Sequence, residues 1–154
     1  DGDLMCVSRV GNMKEPLARA YSGNDGKSWS KVEQLEPWGV APQIQRLNNG
    51  VLVISTGRPG LWNWFSLDRR GENWQPFDLM AYHNSVLGDQ YPIKADIKDI
   101  ATDHQTTAYT AMVEASPNRI FLVYDRNPLG WKALPPDSKD QSQIFLIEMV
   151  VERI

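Results

Sequence analysis

The chain has 154 residues, of which 42% are hydrophobic and 23% charged, with a formal net charge of −3. That length and apolar content suit one domain with a buried core and exclude disorder as the main state. No apolar run nears the ~20 residues of a membrane span, and the acidic balance argues against a nucleic-acid binder, which needs basic excess.

The predicted elements are short strands. Leu4–Val10 and Leu17–Ser22 come first, then residues 43–47, Val51–Ser55 and Leu61–Ser66, and finally residues 108–113, Ile120–Tyr124 and Ile144–Val151. They are rich in β-branched and aromatic residues and bounded by Gly, Pro, Asn or Asp. Asn49-Gly50 predicts a type I′ hairpin turn, and Ser116-Pro117-Asn118-Arg119 predicts a turn of another type in the equivalent place. Residues 93–105 are the candidate for a short helix. Residues 81–106 lack a strand pattern and read as a loop insertion, which at such length is usually functional. The expected class is all-β.

Cys6 is the single cysteine, so there is no disulfide framework or thiolate metal cluster to expect, and the redox compartment stays open. The chain starts at Asp1 without a signal peptide, which reads as a processed, trimmed or incomplete N-terminus.

The strand groups repeat. Asp1-Gly2-Asp3 precedes Leu4, Asn48-Asn49-Gly50 precedes Val51, and Pro117-Asn118-Arg119 precedes Ile120. The first two units run on to Ser-rich turns ending in Trp29 and Trp74, which lie 45 positions apart. That interval is the size of one four-stranded propeller blade.

The two turns, Ser22-Gly23-Asn24-Asp25-Gly26-Lys27-Ser28-Trp29 and Ser66-Leu67-Asp68-Arg69-Arg70-Gly71-Glu72-Asn73-Trp74, resemble the Asp-box, or BNR repeat, Ser-x-Asp-x-Gly-x-x-Trp. In such a turn a short polar side chain bonds the backbone, Gly takes positive φ, and Trp packs beneath. Asn24 replaces the Asp in the first copy. The second has an extra residue between Asp68 and Gly71, so a looser turn is expected there.

Beyond the boxes, the chain resembles the sialidase (neuraminidase) superfamily. Asp1-Gly2-Asp3-Leu4-Met5-Cys6-Val7-Ser8-Arg9 is similar to the family segment ending in a carboxylate-binding arginine, and residues 49–60 to the segment carrying the next one. Thr107-Ala108-Tyr109-Thr110-Ala111-Met112 resembles the segment of the nucleophilic tyrosine. The resemblance implies a six-bladed β-propeller of which about three four-stranded antiparallel blades are present. Residues 1–154 would be the C-terminal portion of one such propeller. Blades preceding Asp1 would carry the first arginine, the acid aspartate and the activating glutamate, so the isolated chain is expected to be inactive.

It further implies exo-hydrolysis of terminal α-linked sialic acid, with Arg9 and Arg58 binding the substrate carboxylate and Tyr109 as nucleophile. Planar guanidinium groups grip a carboxylate through paired N–H bonds, and a neutral phenol avoids the repulsion an anionic nucleophile would meet there. Sialidases therefore depart from the two-carboxylate rule of glycosidases. Arg9 and Arg58 are expected within about 10 Å of each other, close enough to share one carboxylate.

A sialylated or other acidic glycan is the expected partner, with no cofactor, no metal and a secreted or periplasmic location. Two rival readings are a same-fold hydrolase or lyase on another acidic sugar, such as a uronide, and a non-catalytic Asp-box propeller that binds glycans or proteins. A Glu beside the Tyr109 hydroxyl would favour catalysis, whereas an apolar neighbourhood would favour binding.

The remaining candidates have plainer expected roles. Glu114 is expected at the surface, and His83 and His104, near Asp96, Asp99 and Asp103, as solvated loop residues. Trp62 and Trp64 are expected to pack between blades. Tyr91-Pro92 and Trp131 are placed at the site mouth by loop position alone, and Asp125-Arg126 is a strand-end charge pair without an assigned role.

Overall fold

A computed structural model describes residues 3–11, 15–94 and 105–152. Three antiparallel sheets follow one another along the chain. The first holds β1 (Leu4–Ser8), β2 (Pro16–Ser22) and β3 (Glu33–Trp38). The second holds β4 (Val40–Arg46), β5 (Leu52–Gly57), β6 (Leu61–Ser66) and β7 (Gln75–Asp78). After one helix, α1 (Leu79–Leu87), the third holds β8 (Thr110–Ser116), β9 (Arg119–Arg126) and β10 (Gln143–Val150). The all-β class is as expected, but only the second sheet has the four strands expected of a blade, the first and third having three among the described residues. Among the described residues the sheets form neither a closed barrel nor a closed propeller. No helix among these residues is long and apolar enough to cross a membrane.

Strand β5 organises the packing because it is buried on both faces, as its continuous apolar run requires. Leu52 and Ile54 face the first sheet, joining Leu17, Leu35 and the indoles of Trp64 and Trp74. Val51, just before β5, and Val53 face the third sheet and meet Ile120. Each such aliphatic side chain contributes about 1.5–3 kcal/mol on full burial. A third cluster seats α1 through Leu79 against Leu61, Leu122 and Tyr124.

Local chemistry revises several expectations. The helix starts earlier than the 93–105 stretch because Asp78 caps it, its carboxylate accepting the Ala81 N–H at 2.8 Å. It thus enters the stretch read as a loop insertion; residues 95–104 lie outside the described residues. The Asn49-Gly50 turn is not type I′, which needs positive φ at both central residues; here Gly50 alone has it, at 87°. Leu47 bonds both Gly50 and Val51 through main-chain atoms, which makes a three-residue loop closed by a Gly bulge. At the third sheet, Pro117 followed by Asn118 at φ 64° has the pattern of a type II turn.

Candidate functional site

The two Ser/Trp turns share one construction. In the first, Ser22 Oγ accepts the Gly26 N–H at 2.8 Å, Asn24 Oδ1 accepts the Ser28 N–H at 2.9 Å, and the Trp29 indole donates to the Gly26 carbonyl. In the second, Trp74 donates to the Gly71 carbonyl at 2.8 Å, and Asp68 collects the N–H groups of Arg70, Glu72 and Asn73 together with the Ser66 hydroxyl. Partial burial would raise the Asp68 pKa, but these donors outweigh it and hold the carboxyl well below the usual range. The extra residue therefore does not loosen this turn. Its added N–H groups point inward to the carboxylate.

The opposite ends of the strands bring the candidate residues together. In β5, Ser55 and Gly57 face the third sheet. Ser55 Oγ and Thr110 Oγ1 are 2.5 Å apart in a buried contact. A Cβ built on Gly57 would lie 2.1 Å from the Ala108 carbonyl oxygen, so only glycine allows this approach. The end of β5 thus lies against the start of β8, and the residues just beyond each contact, Arg58 and Tyr109, become neighbours. The Arg58 guanidinium carbon sits 5.7 Å from the Tyr109 ring centroid and 5.0 Å from that of Trp131. The two aromatic rings meet edge to face at 5.3 Å.

This cluster is open to solvent on its aromatic side, with Tyr109 and Trp131 each 50% exposed. Arg58 is half-buried at φ 52°, precedes a cis Pro59, and donates through Nη2 to the Thr107 carbonyl at 3.4 Å. Among the described residues its buried Nε has no hydrogen-bond partner. Among the described residues no carboxylate pairs with this guanidinium, which the two rings hold instead.

Asp125 sets the backbone that presents Tyr109. Its carboxylate accepts the Thr106 hydroxyl at 2.7 Å and the Thr107 N–H at 3.1 Å, and Thr106 Oγ1 in turn accepts the Ala108 N–H. Sequence reasoning noted Asp125 without assigning it a role; that role is to position Tyr109. Arg126 turns away into the interior, 4% exposed, where it pairs with Asp140 through both terminal nitrogens and donates to the Pro92 carbonyl. The Arg126 hydrogen bond holds the Asp140 carboxyl below its ordinary range.

Arg9 is exposed, one residue beyond the end of β1. β1 and β2 precede the first Ser/Trp turn as β5 and β6 precede the second, so Arg9 occupies on the first sheet the place Arg58 occupies on the second. No described contact joins Arg9 to the cluster.

The other candidates are structural. Glu114 lies at the far end of β8 and accepts the N–H groups of Asn48 and Asn118, tying two turns together. His83 is a core residue rather than a solvated one, 1% exposed. Its Nε2–H donates to the Tyr91 carbonyl at 2.7 Å, a carbonyl being able only to accept, and the Tyr124 hydroxyl donates to Nδ1 at 2.9 Å. Burial pushes the Tyr124 phenol up to about 12. His104, Asp96, Asp99 and Asp103 lie outside the described residues. Trp62 and Trp64 stack on each other at 5.8 Å and meet Trp38 edge-on, the packing role expected of them. Tyr91 and Pro92 use their carbonyls to hold His83 and Arg126.

No family model matches the chain, and no curated protein matches it. It is similar to the crystal structure of a protein of unknown function from Dyadobacter fermentans, with a TM-score of 0.62 and 15% sequence identity over 97% of this chain. At that identity the likeness shows the fold alone. The chain spans 35% of the length of that protein.

Proposed function

We propose that the chain is part of a sialidase-like propeller whose rim binds the carboxylate of an acidic sugar, with α-linked sialic acid as the substrate. The observation that carries this reading is the meeting of Arg58 and Tyr109, delivered from neighbouring sheets to one exposed cluster. The resemblance assigns carboxylate binding to the one and nucleophilic attack to the other. Arg9, at the equivalent place on the first sheet, is the second carboxylate-binding arginine. Each sheet is one blade, and the turns at Trp29 and Trp74 are its Asp-boxes.

In this reading the Arg58 guanidinium fixes the substrate carboxylate by charge-assisted hydrogen bonds. The Tyr109 hydroxyl then attacks the anomeric carbon, losing its proton to a glutamate supplied by another part of the complete protein. The glycosidic oxygen leaves with a proton from an acid supplied in the same way. Trp131 bounds the site and shields the guanidinium from water, which strengthens its hold on an anion. A secreted or periplasmic location, where sialylated glycans are met, goes with this reading.

A second reading is favoured by the neighbours of Tyr109, a guanidinium and an indole, which suit capture of an acidic sugar without its cleavage. Hydrolysis of a fluorogenic α-sialoside by the complete protein, beside its Tyr109→Phe variant, separates the two. Turnover that collapses in the variant is the expected result. Turnover that survives removes Tyr109 from the chemistry. Absence of turnover in the folded parent, with sialic acid still bound, leaves the binding reading.

A further inference from the structure

The opposite ends of the same strands hold a cleft of about 420 Å³ between the first and second sheets. Arg46, Arg69 and Arg70 line it, with Asp3 as the acidic side chain among them, and Leu4 and Leu52 contribute apolar walls. In a chain of net charge −3 this gathering of arginines is a local reversal of sign. Arg46 pairs with Leu52 across β4 and β5, whereas Val40 pairs with Gly57. The cleft therefore lies about 17 Å along the sheet from Gly57, the residue before Arg58, at 3.4 Å per residue.

The arginines are presented by a rigid support. Arg69 and Arg70 are the two residues between Asp68 and Gly71, where the repeat pattern has one. The Asp68 carboxylate fixes that turn from inside through the N–H groups of Arg70, Glu72 and Asn73. From outside, Arg19 donates to the carbonyls of Arg70 and Gly71, and the Tyr21 hydroxyl also donates to the Arg70 carbonyl. Arg46 reaches the Arg69 carbonyl at 3.4 Å. Among the described residues the acidic groups at the cleft are Asp3 in its lining and the exposed Glu72, whose carboxylate lies 4.0 Å from the Arg70 Nε.

We propose that this cleft is an anionic-sugar subsite, taking a carboxylated or sulfated sugar residue of a glycan chain on Arg46, Arg69 and Arg70. Guanidinium groups match the planar carboxylate and the sulfate oxygens by paired N–H bonds, and the exposed Leu4 side chain meets the apolar face of the ring. The subsite uses none of the residues of the rim and stands whether or not the rim hydrolyses sialosides.

Calorimetric titration with a heparin-type tetrasaccharide, alternating uronate and sulfated glucosamine, tests it in low salt, where such pairs are least screened. The proteins are the parent, the double variant Arg46→Gln/Arg69→Gln, the single variant Arg69→Gln, the rim variant Arg58→Gln, and the control Arg119→Gln. Arg119 is an exposed arginine on the third sheet, paired with Glu148. Loss of two charge-assisted contacts should weaken binding by roughly tenfold or more in the double variant and by less in the single one. The control Arg119→Gln should stay within about twofold. Matched melting curves establish folding, and Arg69→Gln, at an exposed turn position, serves should the double variant not fold. Absence of binding by the parent overturns the proposal, as do equal affinity in the parent and in whichever arginine variant folds, or equal weakening by Arg119→Gln. Loss in Arg58→Gln with full binding kept in the cleft variants places the sugar at the rim and also overturns it. A polyglutamate peptide of matched charge that displaces the tetrasaccharide at equal concentration overturns the assignment to a sugar.

Discussion

At the rim, Arg58, Tyr109 and Trp131 come from three separate loops of two sheets, and their meeting depends on how closely β5 approaches β8. At the other end, Arg69 and Arg70 come from one turn, and a single carboxylate beneath them fixes its shape. The first arrangement is tertiary, secured by the absence of a side chain at Gly57 and by the Asp125 clamp on Thr106 and Thr107. The second is mainly local, its turn fixed from inside by hydrogen bonds within about five residues and braced from the first sheet by Arg19 and Tyr21. Tertiary sites fail when packing between sheets changes, whereas local ones fail when one side chain is removed.

That contrast sets the order of expected effects. Gly57→Ala should be the most damaging change. Its methyl would meet the Ala108 carbonyl, so the sheets must separate, at a cost of about 2–3 kcal/mol in urea unfolding. Binding of sialic acid at the rim should be lost with it, while tetrasaccharide binding at the arginine cleft persists. Asp68→Ala should cost less, about 1–2 kcal/mol, because its N–H donors lie near solvent and find water. Its effect should have the opposite distribution, weakening the arginine cleft and sparing the rim. Trp131→Ala should leave stability within about 0.5 kcal/mol, since the indole is half exposed. It should weaken acidic-sugar binding at the rim several-fold.

Two pH effects are smaller and also distinguish the ends. The Asp68 carboxyl is held below the usual range in the folded chain and returns to an ordinary value on unfolding. Its contribution is therefore complete above the ordinary carboxylate range and is lost as pH falls through the lower folded value. The stability difference between the parent and Asp68→Ala should narrow below about pH 4. Tyr124 runs the other way, with a folded value of about 12 against 10.0 for a free phenol. The neutral phenol is favoured by folding, so this contribution is complete below pH 10 and is lost as pH rises towards 12. In an alkaline titration followed by phenolate absorbance, one late-ionising tyrosine should disappear in Tyr124→Phe.

The strands legible in the sequence were those with β-branched or aromatic residues on a buried face. β3 and β7 escaped because Pro37 and Pro76, with acidic neighbours, carry the marks of loops, and both are edge strands, where proline is tolerated. The helix was misplaced because its start is set by the cap at Asp78 and its apolar residues make a weak stripe. At the candidate site, Arg58 and Tyr109 were legible through resemblance to family segments, and the structure brings them together. Trp131 was visible only as a loop aromatic, because its place against Arg58 is made by the fold of the 127–142 connection and by no local pattern. Glu114 and His83 show the same limit. Their hydrogen-bond partners are distant in sequence, so nothing nearby marks them as a turn tie and a core residue.

The central claim, that Arg58 and Tyr109 form one acidic-sugar site, is tested most directly by a double-mutant cycle on sialic acid binding. Calorimetry on the complete protein, Arg58→Gln, Tyr109→Leu and the double variant supplies the four affinities. The account predicts that each single change weakens binding and that the double change falls short of their sum, since the Arg58 guanidinium and the Tyr109 ring contact each other. Unchanged affinity in either single variant, or strict additivity between them, would contradict it.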